Sequence, residues 1–359
     1  MTRRPWVAAA RRGWRRARPA AMTAAVTATG PARESEGVQG PSDMYSLAPG
    51  EPAVPAAPGG TGGPDSPGTA SPDSTGGAAD QLVIALDGFI DAGNVVSGTV
   101  SHLLSSLSHE TVATFDVDAL LDYRARRPRI RLEDNVVTGV RWRELVLERF
   151  RDLTGTPFLL LHGPEPDRAW QSLSAAIVGL AARLGVRQVV GLLALPAAAP
   201  HTRPITFIGT ATRPALLPDR WPRFQAMEVP GALVTVLEHA FGLAGRDAIT
   251  VVAQVPNYLS QADVPHAGAA LIQEAGRLTS LSLPVDGLLR AAEGLDKALV
   301  SELASSPENA AMVAELERQY DATVAGAGEA GSVGPTVIPS GDELARQFQT
   351  FLAEREDDH

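Results

Sequence analysis

The stretch Gln81–Leu107, QLVIALDGFIDAGNVVSGTVSHLLSSL, decides the fold class. Leu82–Leu86 is an unbroken apolar run, short enough for a strand and too continuous for one with a wet face. Such runs suit a central strand covered on both sides. The run ends at Asp87-Gly88, a turn dipeptide. Beyond Asp91-Ala92-Gly93 the spacing changes, and Val96, Val100, Leu103 and Leu107 fall on one helical face. The stretch therefore predicts a buried strand, an acidic loop bearing glycine, and an amphipathic helix. In an open α/β sheet that loop lies at the carboxyl end of a strand, where ligands usually bind.

The same unit recurs downstream. Pro157–His162 is a second buried run, emptying into Gly163-Pro164-Glu165-Pro166. Asp167 is then placed to N-cap a helix carrying Trp170, Leu173, Ile177, Leu180 and Leu184 on one face, with Gly185 as its stop. Gln188–Leu195 is a third buried run, and the order strand–helix–strand is that of a right-handed parallel crossover. Ala248–Val255 is a fourth. Strands are also predicted at Thr111–Val117, Val136–Trp142 and Ile205–Thr210, with helices over Pro230–Leu243 and His266–Leu278. Asp122–Asn135 reads as a charged loop or edge strand, because Pro128 blocks a helix. Arg143–Leu153 has helical spacing. The alternation argues an α/β domain with a mainly parallel central sheet and helices on both faces.

Residues 1–79 are rich in Ala, Pro, Gly, Ser and Arg, and read as a disordered tail unable to offset its ordering entropy. Met44 is an alternative start within it. The expected organisation is this tail, an α/β core over 80–282, a helical extension over 283–324, and a flexible link with a last helix over 325–359. That last helix has a capping box at Ser340 and Glu343.

Composition narrows the function. The net charge of −10 disfavours a nucleic-acid partner, which needs a basic face. The chain has no cysteine, which removes disulfides, thiolate nucleophiles and Cys-ligated zinc, and suits a reducing cytoplasm. No apolar run is long enough to span a bilayer, so no membrane partner is expected. Thr2-Arg3-Arg4 is a poor export signal, since further arginines interrupt the residues after it. Lys297 is the only lysine among many arginines, the usage of a high-GC genome.

Four loops after buried strands carry polar groups that could gather along one sheet edge. Their candidate residues are Asp87, Gly88, Asp91, Gly93, Glu165, His201, Arg203, Asn257 and Tyr258. Carboxylates, an imidazole and a guanidinium in one cleft would suffice for acid–base work or anion binding. Each has a plain alternative: Asp91 caps the next helix, Asp87 forms a turn, and His201 and Arg203 hold a loop. His162, Glu165 and His201 lack the helical i, i+4 spacing of a metal site, and no metal or cofactor is expected. No GxGxxG, GxxxxGK[ST] or GxSxG motif occurs among these loops, so no catalytic residue is assigned.

Five segments in order, ALDGFIDAGN (85–94), FDVDALLDYRARRP (115–128), PFLLLHGPEPD (157–167), PHTRPI (200–205) and VPNYLSQAD (255–263), resemble the proteasome assembly chaperone 2 family in its bacterial, actinobacterial-type branch. The resemblance runs from about residue 80 onward. It implies a three-layer α/β/α sandwich similar to the nucleoside phosphorylase-like fold, and a non-catalytic, homo-oligomeric chaperone with protein partners such as proteasome subunits. The hydrophobic–Tyr–any tripeptide by which the eukaryotic and archaeal relatives dock on the proteasome ring is missing, since the sequence ends Asp357-Asp358-His359. The competing expectation is a small-molecule enzyme or binder using the post-strand loops.

Overall fold

The structure, a computed structural model, describes residues 41–49, 51, 79–88 and 91–327. Its strands are β1 (Tyr45–Leu47), β2 (Gln81–Asp87), β3 (His109–Phe115), β4 (Arg129–Glu133), β5 (Val136–Arg141), β6 (Val146–Arg151), β7 (Pro157–Pro164), β8 (Gln188–Ala197), β9 (Phe207–Ala211) and β10 (Asp247–Pro256). Its α-helices are α1 (Val95–Ser106), α2 (Val117–Leu120), α3 (Trp170–Arg183), α4 (Leu233–Leu243), α5 (Pro265–Thr279), α6 (Asp286–Ser305) and α7 (Pro307–Ala327).

One sheet runs in the order β1-β3-β6-β7-β2-β8-β10-β9, and β4 and β5 form a separate two-stranded hairpin. The four continuous apolar runs are its parallel centre. Leu82 pairs with Leu159 on one side and Val189 on the other, and Ala248 continues the row from Val189. Both flanks are antiparallel: β6, β3 and β1 beyond β7, and β9 beyond β10. Helical crossovers force the parallel pairs, whereas the short link from β6 to β7 permits a hairpin.

The strand period of two divides the core between the faces. Leu82, Ile84 and Leu86 pack with Leu173, Ile177 and Leu180 of α3 and Leu233, Leu237 and Phe241 of α4. Val83 and Ala85 face the other way, onto Val96 and Val100 of α1, Leu271 and Ile272 of α5, and Leu288 of α6. Helices cover both faces, giving the three layers of an α/β/α sandwich. Each fully buried Leu or Ile contributes about 1.5–3 kcal/mol.

Three local expectations fail. Residues 146–151 are strand β6 rather than part of a helix. Val146, Leu147 and Phe150 mimic a helical stripe, but they are buried because both faces of this strand are covered. Asp167 does not cap α3, which starts at Trp170 after Ala169 in the left-handed region (φ 59°). Its carboxylate accepts from the Asp122 amide (2.7 Å) and pairs with Arg126 (3.2 Å). The N-terminal tail is not wholly outside the fold, because β1 pairs with β3 and Met44 is 2% exposed. The capping box at Ser340 and Glu343 lies outside the described residues.

Candidate functional site at the carboxyl edge of the sheet

The ends of β7, β2, β8 and β10 stand side by side, so the four polar loops line one edge. Their side chains sort into three groups, each closed by its own bonds.

At the β7–β2 end, Asp87 pairs with Arg143 through Oδ2 (2.6 Å). Its carbonyl accepts from the Glu165 amide (2.9 Å) and Arg126 Nη1 (3.2 Å). The other carboxylate oxygen of Asp87 is buried and has no hydrogen-bond partner among the described residues. Glu165 is 7% exposed, and its Oε1 accepts from the Leu233 amide (2.7 Å) at the start of α4. A carboxylate is favoured there because helix N-termini leave amides unpaired and carry partial positive charge. Gly88 is required by the same contact, since a Cβ there would lie 2.4 Å from Glu165 Oε2.

In the middle, Asp91 serves helix α1. Its carboxylate accepts from the Val96 amide (2.7 Å), the Ser97 amide (3.1 Å) and the Ser97 hydroxyl (2.7 Å). Of the two readings open for Asp91, capping is the one its bonds satisfy. Gly93 has φ +68°, a conformation that side chains disfavour. Its amide donates to the Ser260 carbonyl (2.8 Å) and its carbonyl accepts from the Val264 amide (3.0 Å). Asn94 Nδ2 adds a bond to Asp263 (2.8 Å). The loop after β2 is thus stitched to the loop after β10.

At the β8–β10 end, the Tyr258 hydroxyl accepts from the His201 amide (2.8 Å) and lies 2.6 Å from His201 Nδ1. The hydroxyl and Nδ1 share one hydrogen bond, donated by the O–H or by Nδ1–H according to the imidazole tautomer. Burial holds His201 below the usual histidine range despite the nearby carboxylates of Asp296 and Glu317, and burial likewise raises the Tyr258 hydroxyl. Asn257 is exposed and opens the one-turn helix Asn257–Leu259.

Helix α7 closes this end. Arg203 makes a two-pronged contact with Asp321 (2.9 and 2.8 Å) and reaches Glu317 (3.2 Å). Its hydrogen bonds to Asp321 push the guanidinium pKa further up. Thr202 donates to Glu317 as well, and His266 meets Asp296 of α6 (2.9 Å).

The edge therefore unites Asp87 with Glu165, and His201 with Tyr258. No hydrogen bond or ion pair joins those two groups among the described residues. Sequence reasoning does not single out Arg126, Arg143, Glu317 or Asp321, although Glu317 and Asp321 have the i, i+4 spacing that places two carboxylates on one helical face. No group of three or more His, Cys, Asp or Glu among the described residues is placed to hold a metal ion. None of the described helices is long and apolar enough to cross a membrane.

A family model described as the PAC2 family matches residues 85–304. The chain belongs to the PAC2 family. Among solved structures, a Mycobacterium tuberculosis protein of unknown function, Rv2714, is 38% identical, with 81% of this chain and 95% of that one covered and a TM-score of 0.69. A Corynebacterium glutamicum protein of unknown function is 33% identical, covering 78% and 98%, with a TM-score of 0.68. The M. tuberculosis proteasome-assembly chaperone homologue Rv2125 is 29% identical, covering 66% and 99%, with a TM-score of 0.60. A comparison with curated proteins gives no match. The PAC2 relationship accounts for the five ordered segments, and the α/β sandwich it implies is the observed fold.

Proposed function

We propose that this PAC2 protein is a non-catalytic, chaperone-type protein that works in the cytoplasm as a homo-oligomer, through protein–protein interfaces. The observation that carries the reading is the β4–β5 hairpin. Ile130 pairs with Val140 and Leu132 with Val137, so these four share one face. The same face excludes Arg129 and Arg141, a pair on the opposite side. Ile130, Leu132, Val137 and Val140 are between 45% and 60% exposed. Trp142, just after the hairpin, is 54% exposed. Soluble chains seldom leave such apolar clusters open unless another protein covers them. By contrast, most polar groups of the carboxyl edge are taken up by intramolecular bonds, which argues against free catalytic side chains. A proteasome subunit is the proposed partner class, by analogy with the Rv2125 homologue.

Two measurements separate the parts. Sedimentation equilibrium should find an oligomer for the natural chain and a monomer with unchanged circular dichroism for Ile130→Ser/Leu132→Ser/Val140→Ser. A monomeric natural chain removes the oligomer. Affinity capture from the native cell that recovers no proteasome subunit removes the partner. A second reading, a small-molecule binder at the carboxyl edge, draws on the pairing of His201 with Tyr258 there.

A further inference from the structure

Strand β1 is attached to its sheet as a bound peptide would be. It pairs antiparallel with the outer edge of β3, Tyr45 opposite Phe115, Ser46 opposite Thr114 and Leu47 opposite Ala113. Main-chain bonds extend the ladder at both ends, from the Asp116 amide to the Met44 carbonyl and from the Ala48 amide to the Val112 carbonyl (both 2.9 Å). Side chains then fix the register. Met44 is buried in the core. The Tyr45 ring lies 5.7 Å from that of Phe115, and its hydroxyl accepts from Arg183 (2.8 Å). Glu51 pairs with Arg149 (2.7 Å), both side chains being nearly buried. Main-chain pairing for affinity, with side-chain pockets for selection, is how sheet edges capture extended segments.

The tether does not dictate whose edge is filled. In the sheet, β1 stands four strand steps from β2, about 19 Å at the usual strand spacing. Residues 48–80 connect them, and a chain of that length can reach about 110 Å. A connection so much longer than its span does not by its length exclude the β3 edge of a neighbour, a condition for the exchange of identical elements between copies.

We propose that the outer edge of β3 is a strand-docking site, and that the β1 arm, residues 44–49, of a second copy of this chain occupies it by exchange with the copy's own arm. In a dilute monomer the tethered arm wins, because a tether holds its ligand at a local concentration near the millimolar range. Crowding of copies shifts the balance toward the neighbour's arm. This interface is separate from the β4–β5 hairpin and stands or falls apart from it.

The chain contains no cysteine, which makes a direct test simple. Ser46 and Thr114 are exposed and opposite one another, and directly paired positions of antiparallel strands lie within disulfide reach. Full-length S46C/T114C, oxidised mildly, should close a disulfide within one chain; failure to do so overturns the docking site itself. Full-length S46C and T114C chains should then be mixed, incubated and oxidised, and the disulfide-linked peptides spanning positions 46 and 114 quantified by mass spectrometry. The proposal expects this inter-chain pair, rising with total protein concentration and falling several-fold when excess natural chain competes. Ready closure in the double variant with no inter-chain pair at any concentration overturns the exchange. Both results are independent of the hairpin variants above, so a failure here leaves the proposed oligomer to its own test.

Discussion

Asp152→Ala should destabilise this protein by about 3 kcal/mol at neutral pH. Asp152 is 6% exposed and sits where β6 turns into β7. Its Oδ1 accepts from the Thr154 amide, the Thr154 hydroxyl and the Thr156 amide, and its Oδ2 from the Ser282 amide, each at 2.8 Å. One carboxylate thus closes the hairpin turn and pins the segment leading into α6. Four bonds to an ionised acceptor, each contributing roughly 0.5–1.5 kcal/mol net where water can replace the donor's partner, give that total. Asn keeps one carbonyl oxygen and turns an amide N–H toward Ser282, so Asp152→Asn should cost about half as much. For a domain of this size the alanine variant should lose about 6–12 °C in Tm.

The effect has a pH signature. Burial alone would raise this carboxyl, but the hydrogen bonds from Ser282, Thr154 and Thr156 outweigh it and hold it below the usual aspartate range. A carboxyl depressed in the folded state stabilises fully above its unfolded pKa, about 3.9, and loses that contribution as pH falls through its folded value. Urea unfolding followed by circular dichroism should therefore show a constant gap between natural and Asp152→Ala proteins from pH 5 to 8, narrowing below pH 4. A neutral-pH gap under about 0.5 kcal/mol, or one that does not shrink on acidification, overturns this account of Asp152.

Two further substitutions probe other parts of the molecule. Glu238 is 9% exposed with a bond from Thr210 (2.8 Å), and burial raises its pKa; a raised carboxyl favours the fold below its unfolded value and loses that advantage as pH rises through the folded one. Glu238→Gln should therefore stabilise by about 1 kcal/mol at pH 8 and by nothing at pH 4, and a thermal scan in which the variant melts lower at pH 8 would contradict this. Gly93→Ala meets both a positive φ and Val264 Cγ2 at 2.8 Å from the new Cβ, so a loss of about 2–3 kcal/mol in urea titration is expected, with unchanged stability as the disproof.

The parts of the fold legible in the sequence are those that depend on neighbours along the chain. The parallel centre can be read because Leu82–Leu86, Phe158–Leu161, Val189–Leu195 and Ala248–Val255 are almost wholly apolar, a pattern that only doubly covered strands require. Strand β6 defeats the same reading, since burial on both faces erases the period that separates strand from helix. The sheet edge at β1 is hidden because three residues cannot announce a strand, and their partners lie some seventy residues on, in β3. In the candidate site, the polar loops are visible in the sequence but not their bonds. Asp91 contacts residues five and six positions on, near enough to be weighed as a cap. Arg203 is held by carboxylates more than a hundred residues away, and no local rule links them.

The early position of β1 also sets an order of assembly. On the ribosome, Tyr45–Leu47 is made before its pairing partner β3, and β3 in turn rests on β6 and β7, which are made later still. This early strand must wait for a surface built from the middle of the chain. Long-range closure of this kind slows folding and leaves the nascent protein with an open border until the centre of the sheet exists.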